Sequence, residues 1–143
     1  MTQQQEYLVL NSSYDVKYRW AAGPYLQKFL EGLKAGKIYA NKCPKCGRML
    51  LPPRVLCGRC HVRMGDFVEL STRGTLISYS LVVDPIYDPS TGQMRDVPYA
   101  TGTAVLDGGP DCSFFHLLEE KDVTKLRLGM RVQVVFKPET ERR

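Results

Sequence analysis

Four cysteines arranged in two pairs are the residues of this chain best suited to chemistry. Cys43 and Cys46 form one Cys-x-x-Cys pair, and ten residues further on Cys57 and Cys60 form a second. Each pair can wrap a short turn around one metal ion, so together they supply the four thiolates of a tetrahedral Zn2+ site, each roughly 2.3 Å from the ion. A shell closed by four protein ligands leaves no position for substrate. The spacing therefore predicts a structural zinc ribbon and argues against metal catalysis.

The same cysteines allow other interpretations. Four thiolates also bind iron, Cys57-Gly-Arg-Cys60-His61 matches the pattern to which c-type haem is attached, and two disulfides would use the same residues. Haem attachment and disulfides belong to oxidising export compartments, and residues 1–7 carry neither the positive charge nor the apolar run of a signal peptide. We therefore expect zinc, with His61 on the surface and Cys112 as a small buried apolar residue.

Length and composition are those of an ordinary globular protein. The chain has 143 residues, of which 43% are apolar and 24% charged, enough for one domain or two small ones. No apolar run approaches the roughly 20 residues that a helix needs to cross a bilayer. We expect a cytoplasmic protein without membrane contact.

The positive charge of the chain is concentrated around the cysteines. Residues 17–63 contain eleven Lys or Arg and one acid, Glu31, whereas residues 64–143 contain nine Lys or Arg and twelve acids. The two parts therefore carry +10 and −3, and we expect the basic part to meet an anion. Candidates are nucleic-acid phosphate, the phosphates of a nucleotide cofactor and an acidic protein. A solvated basic face that offsets the charge of the thiolate shell is the alternative.

An amphipathic helix is predicted ahead of the cysteines. Pro24 suits its first turn, Gly36 supplies a stop, and between them apolar residues recur at three- and four-residue spacing. Residues 1–13 are expected to form a flexible arm and residues 14–37 a helical docking segment. The apolar stripe packs either on the chain itself or on a partner subunit. Its candidate docking residues are Trp20, Tyr25, Leu26, Phe29, Leu30 and Leu33.

Five β-strands are predicted after the second cysteine pair. Each is rich in β-branched and aromatic residues and is bounded by Gly, Pro or Asp. They occupy residues 66–70, 74–83, 98–106, 112–118 and 130–136. Five short strands fit the OB-fold, a five-stranded Greek-key barrel.

The predicted organisation is therefore mainly β. A rubredoxin-like zinc ribbon is expected over residues 38–65, a five-stranded OB-fold barrel over residues 66–137 and a short tail over residues 138–143. The long connection 84–98 serves either as an interface or gate, or as an ordinary surface excursion.

Several short motifs occur together in one order over about residues 15–137. They are Phe29-Leu-Glu-Gly-Leu33, Cys43-Pro-Lys-Cys46-Gly47, Pro52-Pro53-Arg54, Cys57-Gly-Arg-Cys60, Gly74-Thr-Leu76, Pro98-Tyr-Ala100 and Leu128-Gly-Met130-Arg-Val132. In this combination the chain resembles the zinc-ribbon OB-fold proteins associated with acyl-CoA and thiolase enzymes, a family of the domain-of-unknown-function-35 type. The combination is far more specific than either cysteine pair alone.

The resemblance implies a non-catalytic companion of an enzyme. Members of the family dock beside a thiolase-fold catalytic subunit, and the resulting hetero-oligomer handles acyl-CoA substrates. One structural Zn2+ and a coenzyme A thioester as shared ligand are implied, with the CoA phosphates near Arg48, Arg54, Arg59 and Arg63. The segment Tyr18-Arg-Trp20 is similar to the small subunits of benzylsuccinyl-CoA thiolases of anaerobic toluene degradation.

Catalysis by the chain alone is not expected. Four of the five cysteines belong to the metal, and neither His61 nor His116 adjoins Cys112 in a recognisable nucleophile motif. Two other functions stay open. Zinc ribbons and OB-folds also bind single-stranded nucleic acid, although the acidity of the barrel argues against it, and a pure scaffold between two acyl-CoA enzymes would touch no substrate.

Overall fold

A computed structural model of the chain describes residues 19–88 and 91–142. The arm expected over residues 1–13 and Tyr18 lie outside the described residues. Two short 3-10 helices, Val123–Lys125 and Glu139–Glu141, flank the last strand. The helix and strands are α1 (Gly23–Lys34), β1 (Ile38–Lys42), β2 (Met49–Leu50), β3 (Phe67–Leu70), β4 (Arg73–Val82), β5 (Tyr87–Asp88), β6 (Gln93–Met94), β7 (Tyr99–Leu106), β8 (Ser113–Leu118) and β9 (Arg131–Gln133).

Helix α1 forms where the sequence predicts it. Pro24 lies in its first turn, where the missing N–H costs no hydrogen bond. At the other end Gly36 adopts φ +73°, and the N–H of Lys37 donates to the carbonyl of Gly32 at 2.8 Å. This left-handed turn satisfies a terminal carbonyl and directs the chain into β1. No helix of the described residues has the length and apolarity to cross a membrane.

The ribbon is built on a three-stranded antiparallel sheet with the order β2-β1-β3. Ile38 at the start of β1 pairs with Leu70 at the end of β3. Helix α1 packs on β1 through Gly32, where a Cβ atom would lie 2.5 Å from the ring of Tyr39. The absence of a side chain at this position therefore allows the helix to approach the strand closely.

A second antiparallel sheet, with the order β8-β7-β4-β9, forms the OB part. The long strand β4 pairs with β7, with an irregularity between Leu76 and Ser78, and with β9 only over residues 73–75. Such a bulge bends a strand and increases its twist. The sheet curls into a half-barrel whose concave face opens onto a cleft of about 1060 Å³.

All five predicted strands form, but they are divided between the two sheets. The first of them, β3, pairs with β1 of the ribbon over residues 67–70. The barrel is therefore open rather than closed, because the strand expected to complete it bonds to the ribbon. The expected mainly β architecture, with one helix, a four-cysteine ribbon and an OB-like sheet, is confirmed.

One apolar core joins the two sheets. Helix α1, both ribbon edges and the end of the OB sheet that faces the ribbon all contribute buried side chains. The members of this core are Phe29, Ile38, Ala40, Met49, Leu70, Leu106 and Cys112. Because these residues come from both sheets, the ribbon is held in a fixed position beside the half-barrel.

Between β4 and β7 the chain forms a small hairpin from β5 and β6. Tyr87 and Met94 are opposite one another in it. Arg95 anchors its base, since its N–H donates to the carbonyl of Ile86 at 2.9 Å and its guanidinium bonds to the Asp88 carboxylate. In the connection predicted over residues 84–98, the described residues on either side of 89–90 thus form a short hairpin beside the sheet.

Candidate metal centre

The first cysteine pair lies on a tight turn that follows β1. The N–H of Cys43 donates to the carbonyl of Arg48 at 2.8 Å, and the N–H of Gly47 donates to the carbonyl of Cys43 at 3.0 Å. Gly47 has φ +73°, a left-handed conformation that glycine adopts without steric cost. The turn brings the Sγ atom of Cys46 back toward that of Cys43.

The second pair repeats this geometry. The N–H of Cys57 donates to the carbonyl of Val62 at 3.0 Å, and the N–H of His61 donates to the carbonyl of Cys57 at 2.8 Å. His61 occupies the position that Gly47 has in the first turn and is also left-handed, with φ +53°. Because His61 carries a Cβ atom, the second turn is strained where the first is not.

The two turns bring four sulfur atoms together. The Sγ atoms of Cys43, Cys46, Cys57 and Cys60 all lie within 4.8 Å of one another, and those of Cys46 and Cys57 are 3.8 Å apart. Tetrahedral Zn2+ with Zn–S bonds of roughly 2.3 Å separates its sulfurs by roughly 3.8 Å. The donor set and its spacing therefore fit a zinc ion whose coordination is filled by protein and whose role is structural.

The Cys60 thiol resists ionisation in the absence of a metal. Hydrogen bonding to Cys46, then burial and the charge of Cys46, raise the pKa of the Cys60 thiol to about 12. A metal ion must displace protons from such a cluster, so its affinity falls as the pH falls.

The other candidates for chemistry lie apart from the sulfur cluster. His61 is exposed, and the four-sulfur group does not include it. Cys112 is fully buried, and burial, followed by the charge of Asp111, raises the pKa of its thiol to about 11. A buried thiol that stays protonated at neutral pH is a poor nucleophile.

Helix α1 is tied to the sulfur cluster through Tyr25. The Tyr25 side chain packs on the cluster formed by Cys43, Cys57 and Met64. Its hydroxyl accepts a hydrogen bond from Nε of Arg63 at 3.2 Å. The helix and the second cysteine turn therefore support each other at this point.

Asn41 fixes the loop between the cysteine pairs and was not singled out from the sequence. It is the fully buried polar residue of the core, and its Nδ2 donates to the carbonyl of Arg54 at 2.7 Å while its Oδ1 accepts from the N–H of Arg54 at 3.3 Å. Both polar ends of the amide are thus satisfied. The sequence could not predict these hydrogen bonds, because an asparagine two residues before a ligand cysteine belongs to no recognised motif.

The four arginine candidates do not share one surface. Arg48 and Arg59 line an open cleft of about 400 Å³, whereas Arg54 and Arg63 do not. The lining consists of Lys42, Cys46, Gly47, Arg48, Arg59 and Asp111. Lys42 adds a third cation that the sequence did not single out, since its nearness to Arg59 arises only when the two cysteine turns fold together.

The docking candidates on α1 also divide. Phe29 is buried in the core, and Leu26 and Leu33 pack against the same core. Trp20 is 71% exposed and Leu30 is 48% exposed. Most of the apolar stripe therefore covers the chain itself, and a partner that binds here would meet Leu30 on the helix and Trp20 just before it.

Comparison with known protein families identifies the same two parts. Residues 30–66 match the family described as ChsH2, rubredoxin-like zinc ribbon domain, and residues 67–137 match the family described as ChsH2, C-terminal OB-fold domain. A curated relative, the DUF35 domain-containing scaffold protein of Methanothermobacter thermautotrophicus, is 29% identical over 103 residues. The aligned segment covers 70% of this chain and 71% of the relative.

Two solved structures share the fold. A protein of unknown function from the DUF35 family of Sulfolobus solfataricus superposes with a TM-score of 0.59 at 25% identity, over 80% of this chain and 79% of that one. A chain of the Ltp2-ChsH2(DUF35) aldolase superposes with a TM-score of 0.62 at 23% identity, over 85% of this chain and 92% of that one. At 23% identity the second likeness shows the fold alone.

Proposed function

We propose, from the premise that this chain belongs to the DUF35 family of zinc-ribbon OB-fold proteins, that it is the non-catalytic subunit of a thiolase-type acyl-CoA complex. The observation that carries the proposal is the four-cysteine ribbon packed on an OB-like half-barrel through one core. Two printed names support the coarser part of the proposal, a non-catalytic subunit: the curated relative is called a scaffold protein, and a chain of the Ltp2-ChsH2(DUF35) aldolase shares the fold. The thiolase-type partner and the acyl-CoA substrate rest on the motif resemblance. In this role the chain docks a thiolase-fold subunit that performs the chemistry.

The state of the cysteines supports a non-catalytic role. Thiolase chemistry needs a cysteine thiolate activated by a nearby base. Four cysteines converge on the metal centre, and the remaining one, Cys112, is buried with a raised pKa. The chain therefore contributes position and charge rather than a nucleophile.

The cationic cleft beside the first cysteine turn is the surface we assign to the coenzyme A phosphates. Lys42, Arg48 and Arg59 line it together, and Asp111 is the one acid in its lining. Charge-assisted hydrogen bonds from Arg and Lys to phosphate are the strong ones in proteins. The cleft is open, so a phosphate could enter from solvent or from a neighbouring subunit.

Coenzyme A affinity of the assembled complex tests this assignment. The double variant Arg48→Ala/Arg59→Ala should weaken CoA binding at least about tenfold, because each charge-assisted bond contributes about 1.5–3 kcal/mol. Arg54→Ala is the matched control, since Arg54 is exposed on the same ribbon but outside the cleft. Unchanged affinity in the double variant would leave a scaffold that touches no substrate, the role that the name of the relative suggests.

Co-purification tests the companion role itself. The tagged full-length chain, recovered from its native lysate, should carry one zinc per chain and a thiolase-fold protein, both identified by mass spectrometry. Recovery of single-stranded nucleic acid without such a protein would contradict the proposal and favour the basic ribbon as a nucleic-acid surface.

The acyl group is a finer question. The candidate benzylsuccinyl-CoA thiolase of anaerobic toluene degradation rests on Tyr18-Arg-Trp20, of which Tyr18 lies outside the described residues. We place the complex in the cytoplasm, since a cluster of four metal-binding thiols belongs to a reducing compartment. A panel of acyl-CoA thioesters offered to the purified complex tests the acyl preference directly.

A further inference from the structure

The β5–β6 hairpin exposes large apolar side chains on the surface of the molecule. Val83, Ile86, Tyr87 and Met94 are each between 53% and 62% exposed. We call these four residues the hairpin patch. Large apolar side chains that are exposed close together in the chain are candidates for contact with another protein.

The geometry of the hairpin explains why it needs a partner. Tyr87 and Met94 are cross-strand neighbours and lie side by side on one face, while Ile86, the next residue along, points to the other face. The hairpin has two residues in each strand, and a two-stranded hairpin of this size is at best marginally stable without packing. On that other face Asp88 and Gln93 form the second cross-strand pair, so the apolar face of the hairpin is the one that carries Tyr87 and Met94, and both of these residues are largely exposed.

The base of the hairpin is nonetheless held firmly to the sheet. The guanidinium of Arg95 bonds to Asp88 and lies over the ring of Tyr99, with Cζ 5.3 Å from the ring centre. Tyr99 begins β7, so the hairpin projects from one end of that strand. The base of the hairpin is thus anchored, whereas its two short strands gain packing only when their apolar face is covered.

Charge indicates the chemistry of the partner. Two exposed acids lie beside the hairpin patch, Asp84 next to Val83 and Asp96 two residues after Met94, so a partner groove should carry basic residues at its margin. A second copy of this chain is disfavoured, because a symmetric contact would place the acids of both copies against each other. A different protein fits the charge better.

The hairpin patch is also separate from the cationic cleft. Strand β7 begins at Tyr99, near the hairpin, and ends at Leu106. The turn that follows Leu106 carries Asp111, which lines the cleft. Seven residue steps of a strand span roughly 23 Å. A partner bound at the hairpin and a phosphate bound in the cleft therefore occupy different ends of the OB sheet.

We infer that the hairpin patch is the surface that inserts into an apolar groove with a basic margin on the thiolase-fold catalytic subunit. This inference rests on the proposed function and moves the main docking contact away from α1. Helix α1 has most of its apolar stripe in the core of the chain, whereas Tyr87 and Met94 of the hairpin patch are 59% and 58% exposed.

A capture experiment with matched variants tests the inference. The tagged chain and its Tyr87→Ser/Met94→Ser variant are each incubated with native lysate, and the captured thiolase-fold subunit is quantified by mass spectrometry. The control is Phe115→Ser/Leu128→Ser, which removes two side chains of similar exposure, 68% and 66%, from elsewhere on the OB part. Zinc content and the thermal midpoint show that all three proteins are folded.

The expected result is at least about a tenfold loss of the catalytic subunit with the hairpin variant and full capture with the control. Equal capture by all three proteins would overturn the hairpin as the docking surface and leave the proposed function standing. Failure of the unmodified chain to capture any thiolase-fold protein would overturn both. The second variant Asp84→Lys/Asp96→Lys should also reduce capture, and an unchanged or increased amount would contradict the basic margin.

Discussion

The ribbon and the OB sheet are held together by different forces. Around the cysteines the chain has three very short strands and a small buried cluster, so its geometry depends on a metal and on a few hydrogen bonds such as those of Asn41. The OB sheet depends on long backbone pairing between β4, β7 and β8. The ribbon is basic and presents a cleft for anions, whereas the sheet is mildly acidic and presents apolar side chains. The chain thus carries a cationic surface on the ribbon and a separate apolar surface on the OB part.

Loss of a metal ligand should give the largest effect and should distinguish the two regions. In Cys57→Ser we expect the zinc content to fall from one ion per chain to near zero, because the variant lacks one of the four thiolate ligands. Structural zinc contributes about 10–16 kcal/mol to the folding of such sites, so its loss should also unfold the cysteine turns. Hydrogen exchange should become fast over residues 43–60, which form the two cysteine turns, while β7 stays protected. Metal content and exchange are measured on the same sample.

The matched control for that variant is Cys112→Ser. Cys112 is buried in the core, so the serine hydroxyl should cost about 1–3 kcal/mol of stability but leave one zinc per chain. Equal loss of protection in β7 and in the ribbon of Cys57→Ser would contradict the separation of the two regions.

Alanine at two buried glycines should show how differently the regions tolerate crowding. A Cβ atom on Gly74 of β4 would collide with the backbone carbonyl of Val105, whereas one on Gly32 of α1 would meet the ring of Tyr39. Backbone in a sheet has no freedom to move aside, so Gly74→Ala should cost about 3 kcal/mol and Gly32→Ala about 1–2 kcal/mol. Urea unfolding of both variants measures which one loses more free energy of unfolding, and a larger loss for Gly32→Ala than for Gly74→Ala would contradict the prediction.

The two cysteine turns allow a smaller, reciprocal test inside the ribbon. Gly47→Ala places a Cβ atom in a left-handed conformation and should destabilise the protein by about 1 kcal/mol, whereas His61→Gly removes such an atom and should stabilise it by a similar amount. Both variants should keep one zinc per chain. Loss of zinc in His61→Gly would show that the imidazole supports the metal centre.

The pH dependence of the sheet should give the smallest effect. Arg131 on β9 donates a hydrogen bond to Asp107, which follows β7, with Nη1 2.9 Å from Oδ1. This hydrogen bond is the largest cause of the lowered pKa of the Asp107 carboxyl. A carboxyl whose pKa is lowered in the folded state adds stability above its unfolded pKa of about 3.9, and that stability is lost as the pH falls through the folded pKa.

Asp107→Asn should therefore be slightly less stable than the unmodified chain at pH 6 and converge with it as the pH falls through the folded pKa of Asp107. Urea midpoints between pH 2 and pH 6 measure the difference, and the comparison cancels any loss of metal that both proteins share. A constant difference across this range would show that the ion pair does not couple to folding.

Different parts of this structure were predictable to different degrees. The sulfur cluster follows from local spacing, because each Cys-x-x-Cys closes a turn within a few residues, and the helix follows from Pro24 and Gly36. The pairing partner of β3 could not be predicted in this way. A strand pattern specifies which side chains alternate between the two faces, but it does not specify which neighbouring strand the new strand pairs with. For the same reason the open half-barrel was not foreseen.

The surfaces were the least predictable part. Helical periodicity located the apolar stripe of α1 but could not say that Phe29 packs on the chain's own core. Lys42 joins Arg48 and Arg59 only through the folding of two separate turns. The apolar residues of the hairpin patch looked like part of a long loop, because their exposure depends on the sheet that carries them.

Acyl-CoA cleavage by reconstituted proteins tests the central claim most directly. The purified, zinc-loaded chain, the purified thiolase-fold subunit and their stoichiometric mixture are assayed under the same conditions by following release of free coenzyme A thiol. The account predicts no turnover by the chain alone and full turnover only in the mixture. Turnover by the chain alone, or a catalytic subunit equally active without it, would contradict the role of a non-catalytic companion.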